Sequence, residues 1–153
     1  MKNRDLSTLF QGLQEVSNFK GVKFAYVVAK NRKLIEEELK TLEEVNKPSE
    51  QYLDFEQKRV KLCEQHANKC DNGQPKILGD RYDITNMEAF NKDLETLKNE
   101  YLTCVIEREN QLREFEKLMN EDCKLQLLKI NSIYLPNDIN GSQIEKIISI
   151  IED

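Results

Sequence analysis

Leucines and valines recur at helical spacing from the start of the chain. Leu6, Leu9, Leu13 and Val16 stand three or four residues apart, with Phe10 beside them, which predicts a first short helix within Asp5 to Ser17. Asn18 to Gly21 breaks the pattern, and Gly21 suits the turn at which the chain folds back. A second helix opens at Val22 with the run Val22, Phe24, Ala25, Tyr26, Val27, Val28, Ala29. Apolar on nearly every side, this end is expected to be covered on several faces. The stripe then narrows to Ile35, Leu39 and Leu42, with Lys33/Glu37 and Glu36/Lys40 available as outward pairs four residues apart.

Pro48 lacks the N–H that a helix interior requires, and its ring clashes with the preceding turn. Tyr52, Phe55, Val60 and Leu62 resume a helical pattern, so the region 22–67 reads as a helix kinked or briefly broken at Pro48, its halves roughly collinear. Gly79-Asp80 lies between Lys76–Leu78 and Arg81–Ile84, which predicts a small β-hairpin at 76–84. Thr85 and Glu88 have capping-box spacing. They precede the clearest stripe in the chain, Met87, Phe90, Leu94, Leu97 and Tyr101, continued after a hiccup at Arg108 by Leu112, Phe115 and Met119. One helix over 86–119 is expected, packed antiparallel against 22–67 with Phe90, Leu94, Leu97 and Tyr101 in the seam. The Leu- and Ile-rich stretch 128–135 predicts a strand, with the 76–84 hairpin or its other end as the first candidate partner, although the sequence alone does not pair them. Ser142 and Glu145 suggest a second capping box for a terminal helix at 142–151, with Ile144, Ile147, Ile148 and Ile151 on one side.

The fold class expected is therefore mainly α with a small β element: a long, coiled-coil-like antiparallel helical hairpin, a β-hairpin and one later strand. At 153 residues, one domain over 1–153 is the working count. Charged residues make up 33% of the chain, which favours an elongated shape with much surface. With 23 basic against 28 acidic residues, the net charge of -5 makes duplex nucleic acid a poor partner on average composition. Lys58, Arg59 and Lys61 form a local basic cluster, read as the solvated side of a charged helix. The N-terminus lacks the apolar core of a secretion signal, and nothing approaches the ~20 apolar residues of a membrane span. The expectation is a soluble cytoplasmic protein with reduced thiols.

The stretch Cys63 to Ile84 is where metal chemistry has to be weighed. Cys63, His66 and Cys70 stand at spacings of three and four, and Cys104 is the candidate for a fourth ligand to zinc. No Cys-x-x-Cys pair supports it, so the stretch reads as a connector and no metal or cofactor is expected. His66 is the sole histidine, no nucleophile or phosphate-binding motif is present, and Glu36, Glu37 and Glu38 fan around a helix instead of converging. No catalytic residue and no enzyme activity are expected.

The run VKFAYVVAKNRKLIEEELKTLEE (22–44), AFNKDLETL (89–97) and the Ile-Ile-Glu-Asp ending together resemble a family of small proteins of unknown function encoded by phages and prophages of low-GC Gram-positive bacteria. The resemblance implies a phage or prophage context within a bacterial host, and carries no activity or site residue with it. The layout of two long helices joined by a β-hairpin is also similar, at the level of fold alone, to prefoldin-like chaperone subunits. Two functions follow as expectations. One is a non-enzymatic accessory protein that binds another protein, as a structural element or an inhibitor of a host protein. The other is a nucleic-acid-associated factor of replication or packaging, for which a contiguous basic stripe would be the mark. Homo-oligomerisation through the long helices or the isoleucine-rich tail is also expected, because the chain carries more apolar faces than its elements need.

Overall fold

The computed structural model describes all residues 1–153, in a mainly helical fold with two small two-stranded sheets. The chain forms two compact units, 1–46 with 114–153, and 47–113.

The first unit holds the main core. Its helices are α1 (Leu6–Glu15) and α2 (Val22–Val45). Leu6, Leu9, Leu13 and Val16 are all buried, as their spacing predicts, against Phe24, Val28, Ile35 and Leu42 of α2. Burying each such side chain stabilises by roughly 1.5–3 kcal/mol. The turn between the helices depends on Gly21, whose φ of 125° suits glycine alone. The apolar opening of α2 is covered on one side only, which corrects the expectation of several covered faces. Phe24 and Val28 point inward, while Val22, Ala25, Tyr26 and Ala29 are exposed. The run is apolar all round, but α1 meets only one stripe of it.

α2 stops at Val45, and Ser49 accepts a hydrogen bond from the Tyr52 amide (3.2 Å) to cap a new helix, α3 (Glu50–His66). Pro48 thus marks a true break between two helices, and a side-chain cap restarts the second.

The strand expected at 128–135 is much shorter. β3 is Ile130–Asn131, and it pairs in parallel with β4 (Ile151–Glu152) instead of with the 76–84 hairpin. Side chains divert the backbone on either side of it. Asn31, fully buried, donates from Nδ2 to the Leu128 carbonyl and accepts from the Leu128 amide, both at 2.9 Å. Asn131 accepts from the Ile133 amide (3.1 Å) and starts a 3-10 turn at 132–134.

The terminal helix α6 (Gly141–Ile147) is also shorter than 142–151, ending in a 3-10 turn at 148–150 before β4. Its capping box is Asn140 with Gln143, two residues ahead of the expected Ser142 and Glu145. The tightening turn brings Ile150 inward with Ile147 and leaves Ile148 59% exposed. α6 lies so close to α1 that a Cβ on Gly12 would fall 2.6 Å from the Lys146 Cβ. The N-terminus is tied down by Asn3, whose side chain donates to the Leu118 carbonyl (2.8 Å).

In the second unit, β1 (Ile77–Leu78) and β2 (Arg81–Tyr82) form the expected hairpin, in the register Ile77 opposite Tyr82 and Leu78 opposite Arg81. Gly79 takes the positive φ of 66° at the first turn position. α4 (Met87–Glu100) is capped by Asn86, which accepts from the Ala89 amide (3.1 Å). Thr85, expected in that role, instead accepts from Asn68 Nδ2 (2.7 Å). The stripe continues in α5 (Leu102–Asn120), separated from α4 by an irregular turn at Tyr101 (φ -108°, ψ 18°), whereas the sequence placed its irregularity at Arg108. The boundary between the units falls within α5.

α3 packs on α4. His66 meets Phe90 and Asp93 near one end, and Phe55 meets Tyr101 near the other. Phe90 is buried, but Leu94, Leu97 and Tyr101 are only half-buried, because two helices enclose less than a bundle does.

Candidate interaction surfaces

The residues weighed as metal ligands are placed for other work. Cys63 and Cys104 are buried, Cys70 is exposed, and all four cysteines are free thiols. The Cys104 thiol donates to the Tyr101 carbonyl (3.2 Å). His66 Nε2 lies 2.9 Å from Asp93 Oδ2, and its ring meets Phe90 edge-on. No three His, Cys, Asp or Glu side chains come together in a geometry that could hold a metal ion. The connector is held by its own backbone. The Asn68 amide donates to the Asp83 carbonyl and the Lys76 amide to the Asn68 carbonyl, both at 2.7 Å. The Asp83 carboxyl is pushed below its usual range, chiefly by a hydrogen bond from Asn68 and then by Lys76.

The basic cluster at 58–61 is largely neutralised within its own helix. Lys58 Nζ lies 3.3 Å from Asp54 and also donates to the Tyr101 hydroxyl, which in turn donates to Asp54. The hydrogen bond from Tyr101 is the main reason that the Asp54 carboxyl is lowered, and that to Tyr101 is the main reason that the Lys58 ammonium is raised. Arg59 grips Glu56 with two hydrogen bonds of 2.9 Å, which raises its guanidinium further. Tyr82 is pushed up by desolvation, with Glu64 adding to the effect.

Two further surfaces carry exposed apolar or aromatic side chains beside a groove. In the second unit, Leu53 (47% exposed) and Val60 (38%) stand seven residues apart on α3 and border a shallow groove of about 530 Å³ together with Glu56, Gln57, Lys61 and Glu64. Heptad spacing puts both on one stripe, a relation present in the sequence but hidden by the assumption that apolar positions at that spacing face inward. In the first unit, the exposed side of α2 carries Lys23, Tyr26, Lys30 and Lys33 beside a groove of about 430 Å³.

Comparison with protein-family models, with curated proteins and with solved structures finds no match for this chain. No helix is long and apolar enough to cross a membrane.

Proposed function

We propose that the protein is a non-enzymatic accessory protein that works by protein-protein contact through the second unit, with the exposed stripe of α3 as the contact. One observation carries this reading. In that unit eight large apolar residues are exposed (Leu53, Val60, Ile77, Leu78, Met87, Leu102, Ile106 and Leu112), against five buried apolar ones (Phe55, Cys63, Ala67, Phe90 and Cys104). A unit that leaves this many large apolar side chains partly uncovered gains stability when a partner covers them. The occupant that fits best is α3 of a second copy, laid antiparallel. Glu50, Asp54 and Glu56 occupy the first half of α3, and Lys58, Arg59 and Lys61 the second with Glu64 as its one acid, so a two-fold antiparallel pair sets an acidic half against a mainly basic one. Because most of these charges are already paired within the helix, they set register more than affinity. On this reading α3 and α4 form the coiled-coil-like part of the molecule, and the resemblance to phage and prophage proteins supplies a setting in the cytoplasm of a bacterial host.

Light scattering of the untagged protein from micromolar to several hundred micromolar tests the pairing. The mass is expected to rise from 18.0 kDa towards twice that value, and Val60→Glu is expected to hold it at the monomer with the helical signal unchanged. A constant 18.0 kDa over the range, or a dimer that Val60→Glu leaves intact, refutes it.

A further inference from the structure

The acidic balance of the chain conceals a sharp segregation of charge. Residues 16–35 contain Lys20, Lys23, Lys30, Arg32 and Lys33 and no acidic residue; residues 123–137 contain Lys124 and Lys129 and again no acidic residue. The rest of the chain therefore holds sixteen basic and all 28 acidic residues, a formal charge of -12. The fold places the two acid-free segments side by side. Asn31 is bonded to Leu128 on both sides of its peptide, and Lys23 donates to the Tyr134 hydroxyl at 2.7 Å, with its ammonium 3.9 Å from the centre of that ring.

We propose that this face binds single-stranded nucleic acid, through phosphate contacts from Lys23, Lys30 and Lys33 and base stacking on Tyr26. The three lysines lie along one exposed side of α2, and about 15 Å separates the first from the last at helical rise. Tyr26 stands between them, 58% exposed, with the Lys30 ammonium 5.9 Å from its ring centre. The adjoining groove is lined by Tyr26, Lys30, Lys33, Leu34, Gln126 and Leu128, with the Glu37 carboxylate at one edge, and offers an amide as well as an apolar wall to a base. Glu37 closes the line one turn beyond Lys33 and pairs with it only weakly, at 4.0 Å between exposed groups. α2 also begins with no acidic residue in its first turn and no capping side chain on Gly21, so the positive end of its dipole adds to the field. An aromatic ring in a groove between cations is the arrangement by which single strands are held without sequence readout. A lipid surface would instead use the apolar side chains that also protrude from these segments, Val22 (89% exposed) and Ile133 (76%) among them, and the vesicle measurement below separates the two ligands.

Fluorescence anisotropy of labelled oligo-dT and oligo-rU 20-mers with the full chain tests the proposal. Saturable binding is expected at about 50 mM NaCl. With three phosphates engaged, affinity should fall about 20-fold on going to about 200 mM. Lys30→Glu with Lys33→Glu should weaken binding by at least about tenfold, and Tyr26→Ala by about fivefold or more. Lys92→Glu, on α4, should leave it unchanged. All three positions on α2 are exposed, and an unaltered circular-dichroism spectrum confirms folding. Absence of saturable binding at low salt overturns the proposal. So does an equal loss in the Lys92→Glu control, or binding to phosphatidylserine vesicles that is indifferent to Tyr26→Ala and tighter than binding to either oligonucleotide.

Discussion

Replacing Asn31 by leucine separates hydrogen bonding from space filling at the join between α2 and the 123–137 segment. Asn31 is fully buried, and its amide satisfies both the N–H and the C=O of Leu128 at 2.9 Å. Leucine has the same branched outline but more bulk, so it leaves no cavity, and by transfer energy alone it would stabilise, although crowding at this enclosed site adds to its cost. It offers neither donor nor acceptor, however. Two hydrogen bonds worth about 0.5–1.5 kcal/mol each are lost, and each backbone group left unpaired in a partly buried site costs about 1–3 kcal/mol. A net destabilisation of about 2–4 kcal/mol is expected, close to that of Asn31→Ala. Urea denaturation followed by circular dichroism at 222 nm measures it, with the denaturant slope checked for constancy between variants. Amide exchange gives a second readout, since the Leu128 N–H should lose protection in Asn31→Leu. A leucine variant within about 0.5 kcal/mol of the parent, with Leu128 still protected, would show that Asn31 only fills space and would refute the reasoning.

Phe90→Ala is expected to cost about 3–5 kcal/mol, because that ring is enclosed, whereas Leu97→Ala, at a half-buried position, should cost less than about 2 kcal/mol; urea unfolding of both variants compares them. Asp54 and Asp83 are both held below their unfolded values by hydrogen bonds and lysines. The sign follows from linkage: their contribution is present above the ordinary carboxylate range near pH 4 and is lost as pH falls through the lowered folded values. The urea midpoint should therefore drop as pH falls below the ordinary carboxylate range, and Asp83→Asn should flatten part of that drop; an unchanged slope in the variant would remove Asp83 from the account.

Local periodicity determined much of this protein. The stripe from Leu6 to Val16, the break at Pro48 and the Gly79 turn are encoded within a few residues of where they act, because helix spacing and the constraints of proline and glycine need no distant partner. Capping was legible in kind but misplaced by one or two residues. Asn86 and Asn140 compete with nearby Thr85 and Ser142 for the same role, and only the final path of the chain decides between them. Tertiary structure alone decided the rest. Ile130 and Asn131 find their strand partner at Ile151 and Glu152, in a stretch whose isoleucine spacing reads as helix, so nothing in the local pattern pointed to that pairing. Which apolar residues face outward depended on how many neighbours arrived, since Leu53 and Val60 share a stripe with no element laid over it. Charge shows the difference most clearly. Composition averages 23 basic and 28 acidic residues into a mildly acidic chain, while the Asn31 amide and the Lys23 to Tyr134 contact draw two acid-free segments together into one basic face. Electrostatic potential depends on distance in space, and only the fold supplies those distances.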